Sequence, residues 1–178
     1  MDNGWVRISR FPSLVDDVTV RLIAGVVLAL GLVALAAHQW WLYAVLAVDF
    51  TLRAALGPQA SPIARLVQRQ LRPRLAAAPR YTAGPPKRFA AAIGAVMTLT
   101  ATVLWLVATT VPGASGAGVA VWVIGVVMVA FPALEAGLGL CVGCILFGAL
   151  MRLGLVPDHI CVECADISRR TQRVRATA

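Results

Sequence analysis

The residues best suited to carry out chemistry are four cysteines, arranged as two C-x-x-C pairs. Cys141 and Cys144 lie in an apolar stretch, and Cys161 and Cys164 lie in the polar segment that follows it. Sixteen residues separate the two pairs, which fits four-cysteine zinc sites, where about 15 to 20 residues intervene. Zinc is held by four thiolates in closed structural sites. The spacing therefore predicts either one zinc site or two redox-active dithiols.

The residues around Cys141 favour thiol chemistry. Gly137 and Gly139 precede it and can end the preceding helix, so we expect a new helix to begin at Cys141. The dipole at a helix N-terminus stabilises a thiolate, and Gly143 would allow a partner to approach closely. The second pair is polar and accessible. It could receive electrons or sulfur from a soluble carrier and pass them to the first pair by thiol–disulfide exchange.

Glu135 is an acidic residue in the apolar run just before the first pair. It follows Pro132, which removes a backbone hydrogen bond and kinks or interrupts a helix. A carboxyl group in apolar surroundings can hold a proton near neutral pH. Glu135 could therefore exchange a proton with a thiol, pair with Arg53, or accept a hydrogen bond from a backbone N–H freed at the kink. The sequence leaves these three roles open.

Asp49 and Arg53 are a second group of charges within an apolar stretch. Their i, i+4 spacing lets the carboxylate and the guanidinium meet on one helix face. Ionisable groups within a bilayer are costly and face the protein interior. The pair either fixes helix packing or contributes to a proton or anion path.

These residues belong to a chain with the composition of a membrane protein. It is 60% hydrophobic and only 13% charged, whereas soluble domains carry about 25% charged residues. A helix needs about 20 mainly apolar residues to cross a bilayer. We predict an all-α, polytopic membrane protein forming a single domain, with four transmembrane helices at residues 18–37, 40–56, 89–111 and 119–140. The cysteine-rich segment 141–168 and a disordered basic tail, residues 169–178, would follow.

The distribution of lysine and arginine predicts the orientation of these spans. The loops at residues 38–39 and 112–118 have neither residue type. Fourteen of the sixteen lysines and arginines occur in the N-terminal tail, the middle segment and the C-terminal side: Arg7 and Arg10; Arg65, Arg69, Arg72, Arg74, Arg80, Lys87 and Arg88; Arg152, Arg169, Arg170, Arg173 and Arg175. Short basic loops stay in the cytoplasm. Both termini and the middle segment are therefore predicted to be cytoplasmic, with the spans in the plasma membrane.

The middle segment itself is predicted to contain a short amphipathic helix over residues 62–72. Ser61 would be its N-cap and Pro62 its first residue, and Pro73 would end it. The helix would lie in the head-group plane, with "GPPKRF" as an extended connector to the third span. The net charge of +8 then comes from basic residues next to the spans, which are attracted to anionic lipids. Nucleic acid is not an expected partner, because no aromatic-interleaved basic patch is present.

Several segments of this chain resemble an uncharacterised family of bacterial integral membrane proteins. They are "VDDVTVRLIAG", "SPIARL", "GPPKRFAAAIG", "LEAGLGLCVGC" and "VPDHICVECAD". The family is a domain of unknown function that is common in actinobacteria. Its members are often encoded beside thioredoxin-like proteins and thiosulfate or rhodanese-type sulfurtransferases. The resemblance implies sulfur trafficking or thiol redox chemistry, and it places Glu135 and all four cysteines in the family's signature region.

Three functions remain open at this stage. The first is a thiol–disulfide or sulfur relay that uses Cys141, Cys144, Cys161 and Cys164, with a thioredoxin-like or sulfurtransferase partner and Glu135 moving protons. The second is a non-enzymatic membrane module whose four cysteines bind a structural zinc ion. The third and weakest is an oligomeric transporter of small anions or sulfur compounds that uses Asp49, Arg53 and Glu135. Both cysteine pairs would lie at the cytoplasmic face, where reducing conditions favour metal binding or cycling thiols over permanent disulfides.

Overall fold

The computed structural model describes residue 12, residues 14–157, and residues 160 and 161. Most of this part of the chain is helical, as predicted. The helices are α1 (Asp17–Ala36), α2 (Leu42–Leu56), α3 (Pro62–Leu66), α4 (Gly84–Thr110), α5 (Ser115–Leu138) and α6 (Val142–Arg152). After α3 the chain continues through a π-helical turn and a 3-10 turn, Val67–Leu71 and Arg72–Arg74.

Three of these helices are long and apolar enough to cross a membrane. They are α1, α4 and α5, which correspond to the predicted first, third and fourth spans. The second predicted span forms α2, but this helix begins only at Leu42 and has 15 residues. At 1.5 Å per residue it is about 22 Å long, shorter than a hydrocarbon core of about 30 Å.

Contacts between helix ends place the start of α1 and the middle segment at one end of the bundle. Two short strands, β1 (Leu14–Asp16) and β2 (Tyr81–Ala83), pair antiparallel immediately before α1 and α4. The start of α4 also contacts the end of α2, where Arg88 donates to the Ala54 carbonyl at 2.8 Å. We call this the basic end: α1 and α4 begin there, and α2 and α5 end there. The strand pair was not predicted.

Asp16 fastens the basic end together. It is the N-cap of α1, where its side chain accepts a hydrogen bond from Val18 N. The same carboxylate accepts hydrogen bonds from Arg72 Nε at 2.8 Å and from the Arg80 backbone N–H at 3.0 Å. One side chain therefore links α1 to both ends of the middle segment.

The opposite end of the bundle has an aromatic cluster instead of charges. The ring of Trp122, near the start of α5, lies 5.3 Å from the rings of both His38 and Trp40, centroid to centroid. The turns at residues 37–41 and 111–114 contain no Lys, Arg, Asp or Glu. Aromatic side chains are enriched where membrane proteins meet the interface.

The core lies between α1, α2, α4 and α5. Small residues and a few large ones fill it, and they include Val27, Ala34, Tyr43, Leu46, Ala101 and Met128. Many large apolar side chains instead point outwards, among them Val96, Val103, Val119 and Val123, each more than half exposed. Apolar surface of this extent is typical of helices that face lipid.

The middle segment forms the predicted helix but not the predicted connector. Ser61 is the N-cap, since its side chain accepts from Ala64 N at 3.0 Å, and Pro62 opens α3. The prediction that "GPPKRF" is extended was wrong, because Gly84 to Phe89 form the first turns of α4. Two prolines, Pro85 and Pro86, stand where their missing N–H groups cost no helical hydrogen bond.

Candidate functional site

The first cysteine pair lies at a sharp junction between α5 and α6. The chain leaves α5 through Gly139, which has a left-handed φ of 72° that favours glycine. Its N–H donates to the Glu135 carbonyl at 3.0 Å, and the N–H of Leu140 donates to the Leu134 carbonyl at 3.2 Å. Cys141 then has extended backbone angles and is the N-cap of α6. The predicted helix break and restart are confirmed.

Arg21 of α1 stabilises this junction from the other side. Its guanidinium donates to the Ala136 carbonyl at 3.1 Å and to the Gly137 carbonyl at 2.6 Å. The last carbonyl groups of a helix have no partner within the helix and carry partial negative charge. A cation placed there holds the end of α5, and with it the start of α6, in place.

Cys141 and Cys144 are free thiols at the start of α6. Cys141 is buried and Cys144 is half-buried. A hydrogen bond from the Cys144 side chain lowers the pKa of Cys141, against the opposing effects of burial and of Glu135. The same thiol–thiol hydrogen bond, with burial, raises the pKa of Cys144. Cys141 is therefore the thiol that ionises first, and Cys144 remains the proton donor beside it.

Lys87 is a member of this site that the sequence analysis did not single out for chemistry. Its Nζ donates to Glu135 Oε1 at 2.5 Å, and both side chains are largely buried. The ammonium also lies near enough to interact electrostatically with Cys141 and Cys144. Glu135 thus has a lysine partner and not Arg53. Four groups come together here: a cation, a carboxylate and two thiols.

Close packing of α6 against α4 places the thiols beside Lys87. A Cβ added to Gly143 would lie 2.5 Å from the Ala90 Cβ and 2.7 Å from its Cα. Only glycine permits this approach. One turn further, the rings of Phe147 and Phe89 meet with centroids 5.6 Å apart. The close partner expected at Gly143 is therefore the chain's own fourth helix.

Two cavities meet at the thiol pair. We call the first the inner cavity; it has about 270 Å³, lies among the helices and is lined by Arg53, Lys87, Glu135, Cys141 and apolar side chains. The second, the outer pocket, has about 520 Å³ and is lined by Asp17, Arg80, Tyr81, Cys144 and others. Lys87 and Cys141 line both cavities. The site is therefore open both to the surface at the basic end and to the interior of the bundle.

Asp49 and Arg53 form the predicted ion pair, with Arg53 Nη2 contacting Asp49 Oδ2. Asp49 is buried and also accepts hydrogen bonds from Ser61 Oγ at 2.6 Å and from Ile63 N at 3.0 Å. The carboxylate therefore ties α2 to the first turn of α3, which is a packing role. Arg53 in addition stacks over the Phe50 ring at 5.0 Å and reaches the inner cavity.

The second pair is only partly within the described residues. Cys161 is buried and disulfide-bonded, so the prediction that this cysteine is accessible was wrong. Cys164 lies outside the described residues. Neither Cys141 nor Cys144 is its partner, because both are free thiols. Within the described ranges, no three His, Cys, Asp or Glu side chains lie close enough to share a metal ion. The four-cysteine zinc site would need Cys161 as a free thiolate and also includes Cys164, so it stays a prediction.

A comparison with known families places the chain. Residues 15–152 match the family model described as Domain of unknown function (DUF4395). The chain belongs to this family. The matched range contains Lys87, Glu135, Cys141 and Cys144 and ends before Cys161. Searches of curated proteins and of solved structures found no match.

Proposed function

We propose that this protein is a membrane thiol relay, in which Cys141 and Cys144 exchange disulfide bonds or sulfur with a thioredoxin-like or sulfurtransferase partner. The observation that carries the proposal is the placement of a free C-x-x-C pair at the N-terminus of α6, beside the Lys87 ammonium. Reactive cysteines occupy such electropositive helix N-termini, whereas structural cysteines are buried in apolar surroundings.

Cys141 is the attacking group in this relay. Its thiolate is stabilised by the Cys144 thiol and by Lys87, as well as by the first N–H groups of α6. It attacks one sulfur of the partner's disulfide, and the other sulfur leaves as a thiolate. Cys144 then attacks Cys141 in the mixed disulfide, which releases the partner's second thiolate and leaves a Cys141–Cys144 disulfide. Two electrons pass to the partner. The Lys87–Glu135 pair transfers the protons that the dithiol loses to the partner's thiolates.

Sulfur transfer would use the same atoms. The Cys141 thiolate attacks the outer sulfur of a partner's persulfide, and the partner leaves as a free thiolate. Cys141 then carries the persulfide, which a second acceptor or Cys144 can take up. The outer pocket, lined by Arg80, Tyr81 and Cys144, is the surface on which we place the soluble partner.

The relay acts at the cytoplasmic face of the plasma membrane in this proposal. Lysine and arginine are absent from the far-end turns and abundant at the basic end, and basic loops stay in the cytoplasm. α1 and α4 begin at the same end of the bundle, so α2 returns the chain to that end despite its length. We therefore retain four spans with both termini cytoplasmic. α3 and the π-helical turn that follows it lie in the head-group plane among anionic lipids. Arg65 and Arg69 are exposed there, and Ile63, Ala64 and Val67 are buried.

Trapping the mixed disulfide tests whether Cys141 attacks the partner and Cys144 resolves the mixed disulfide. After exposure of the purified protein to oxidised glutathione, Cys144→Ser should accumulate a glutathione adduct at Cys141. The matched variant Cys141→Ser should accumulate far less at Cys144. Peptide mass spectrometry separates both adducts from any at Cys161 and Cys164, and thermal unfolding checks the fold. A Cys141→Ser protein with full exchange activity would contradict the proposal.

A further inference from the structure

The inner cavity has a mainly apolar lining, and the exchange reaction with a soluble partner does not explain it. Aside from Arg53, Lys87, Glu135 and Cys141, its lining is apolar or small, and its largest members are Ile23, Phe50, Ile93, Met128, Phe131 and Leu146. Residues of α1, α2, α4, α5 and α6 all contribute. Concave, mainly apolar sites with a few convergent polar groups are where proteins bind small molecules.

One polar group in this lining has no partner. Arg53 Nε is buried and makes no hydrogen bond within the described residues, although the same guanidinium contacts Asp49 through Nη2. A buried N–H without an acceptor is costly. Lys87 also has three N–H donors, of which Glu135 takes one. Arg53 and Lys87 both line the cavity, so an acceptor bound there would meet the remaining Lys87 donors and lie beside the Arg53 guanidinium.

The charges already present favour a neutral ligand over an anion. Arg53 and Lys87 each have a carboxylate partner, Asp49 and Glu135, so the cavity has no uncompensated cation among these four groups. A sulfur oxyanion would have to leave its hydration shell for apolar walls, which is costly unless the ion is paired. A neutral ring with carbonyl oxygens loses little on leaving water and satisfies the free donors.

We propose that the inner cavity binds the ring of a lipophilic quinone, which exchanges two electrons with the Cys141–Cys144 dithiol. This inference rests on the proposed redox role of that pair. The volume of about 270 Å³ is just under the usual range for drug-sized ligands, about 300–1,000 Å³, and suits one substituted ring. Leu146 lines the cavity and is 46% exposed. The alkyl tail of the quinone would therefore leave the cavity beside Leu146 and lie on the apolar surface of the bundle.

The electron transfer balances between the two molecules. Both S–H bonds of the dithiol break and one S–S bond forms, so the pair loses two electrons and two protons. The quinone gains them, and its two carbonyl groups become hydroxyl groups. Cys141 lines the same cavity as the bound ring, and Cys144 is its hydrogen-bonded neighbour. Thiol–disulfide exchange is reversible, so a soluble partner in its dithiol form reduces the Cys141–Cys144 disulfide and restores the dithiol that the quinone oxidises.

The test uses decylubiquinone, whose fully substituted ring has no free position for thiol addition. With the reduced protein in detergent, we expect saturable binding by calorimetry and, anaerobically, about one quinol per chain by loss of quinone absorbance. The Cys141→Ser/Cys144→Ser double variant should bind equally well but reduce no quinone. Binding by the double variant is thus independent of the redox proposal.

Three substitutions test whether the quinone binds in the inner cavity. Ala91→Leu narrows the cavity, whereas Ala92→Leu makes the same change at the next, exposed position of α4. We expect at least a tenfold loss of affinity for the first and no change for the second. Arg53→Lys keeps a cation for Asp49 but removes Nε, so it should also weaken binding if Ala91→Leu fails to fold. Absence of quinone binding, or thiosulfate binding in its place, with intact glutathione exchange would overturn the inference and leave the relay standing.

Discussion

At the scale of single residues, the ionisation of Cys141 is set by three neighbours with opposing effects. The Cys144 thiol and the Lys87 ammonium lower the pKa of Cys141, while the Glu135 carboxylate raises it. Lys87 and Glu135 also form a largely buried ion pair. The thiol is therefore poised between two charges that hold each other in place, and changing either charge should change its reactivity in a known direction.

Lys87→Gln and Glu135→Gln should shift Cys141 in opposite directions. Lys87→Gln removes the cation and leaves an uncompensated carboxylate, so the pKa of Cys141 rises and alkylation at pH 7 slows. Glu135→Gln leaves the ammonium uncompensated, so the pKa falls and alkylation accelerates. Each unit of pKa above the working pH changes the thiolate fraction about tenfold. The measurement is the pH profile of iodoacetamide labelling at Cys141, and equal shifts in both variants would contradict this electrostatic account.

The residue-level predictions from sequence succeeded where the partners are close in the chain. The i, i+4 spacing was enough to predict the Asp49–Arg53 pair. Lys87 was missed because it lies 48 residues from Glu135 and because "GPPKRF" was interpreted as extended. The prolines in that segment are themselves a helix-start signal, and using it would have placed Lys87 in the first turn of α4.

At the scale of elements, the contact between α4 and α6 positions the dithiol. Gly143 lets the two backbones approach, whereas Gly148 on the same helix has no atom within 4 Å of an added Cβ. The distance between α6 and Lys87 therefore depends on one glycine. A methyl group at that position acts on the site without altering any ionisable residue.

Gly143→Ala should separate α6 from α4 and move the thiols away from Lys87. Overpacking of this kind costs about 1–3 kcal/mol, and the pKa of Cys141 should rise as the ammonium recedes. Gly148→Ala is the matched control and should be neutral or stabilising by up to about 1 kcal/mol through helix propensity. Thermal unfolding and the labelling rate of Cys141 check both effects. Unchanged labelling in Gly143→Ala would show that this contact does not position the thiol.

Asp16, at the junction of β1 and α1, should make stability depend on acid pH. Burial acts to raise its pKa, but hydrogen bonds from Thr19, Arg72 and Arg80 outweigh burial and lower it below the ordinary value of 3.8. The folded state thus favours the carboxylate, so the stabilisation is present above the unfolded pKa and is lost as pH falls through the folded one. The sequence did not predict this contact, because Asp16 and Arg80 are 64 residues apart.

Asp16→Asn isolates that contribution. Asparagine is a comparable N-cap, but it carries no charge for Arg72. At pH 7 the variant should be less stable than the wild type by about 1 kcal/mol, and the difference should shrink as the pH falls below 4. The measurement is thermal unfolding of both proteins in detergent between pH 7 and pH 2.5. A gap that stays constant over that range would exclude ionised Asp16 as the cause.

At the scale of the whole molecule, the fold brings the start of α1, the middle segment and the end of α5 together at one end of the bundle. The sequence predicted the three long apolar helices, because about 20 consecutive apolar residues are a strong signal. It did not predict the β1–β2 pair, since strands of three residues are too short to show an alternating pattern. The predicted second span also began two residues before α2, because Trp40 and Trp41 are apolar but belong to the turn before this helix.

Chemical labelling of single cysteines in a cysteine-free background tests the four-span topology. Gln39→Cys, in the turn between α1 and α2, should react with a membrane-impermeant maleimide on intact cells. Ala77→Cys, in the middle segment, should react only after permeabilisation. Both positions are exposed, so burial does not confound the comparison. Labelling of Ala77→Cys on intact cells would contradict the proposed orientation.

The most direct test of the relay is the redox titration of the full-length wild-type protein. Samples are poised with reduced and oxidised dithiothreitol, alkylated differentially and read by peptide mass spectrometry, with zinc measured on the same material. We expect Cys141 and Cys144 to pass together from two free thiols to one disulfide, with a two-electron slope of about 30 mV per tenfold change. The relay is contradicted if both thiols stay free across the whole range, or if all four cysteines are protected by one zinc ion per chain.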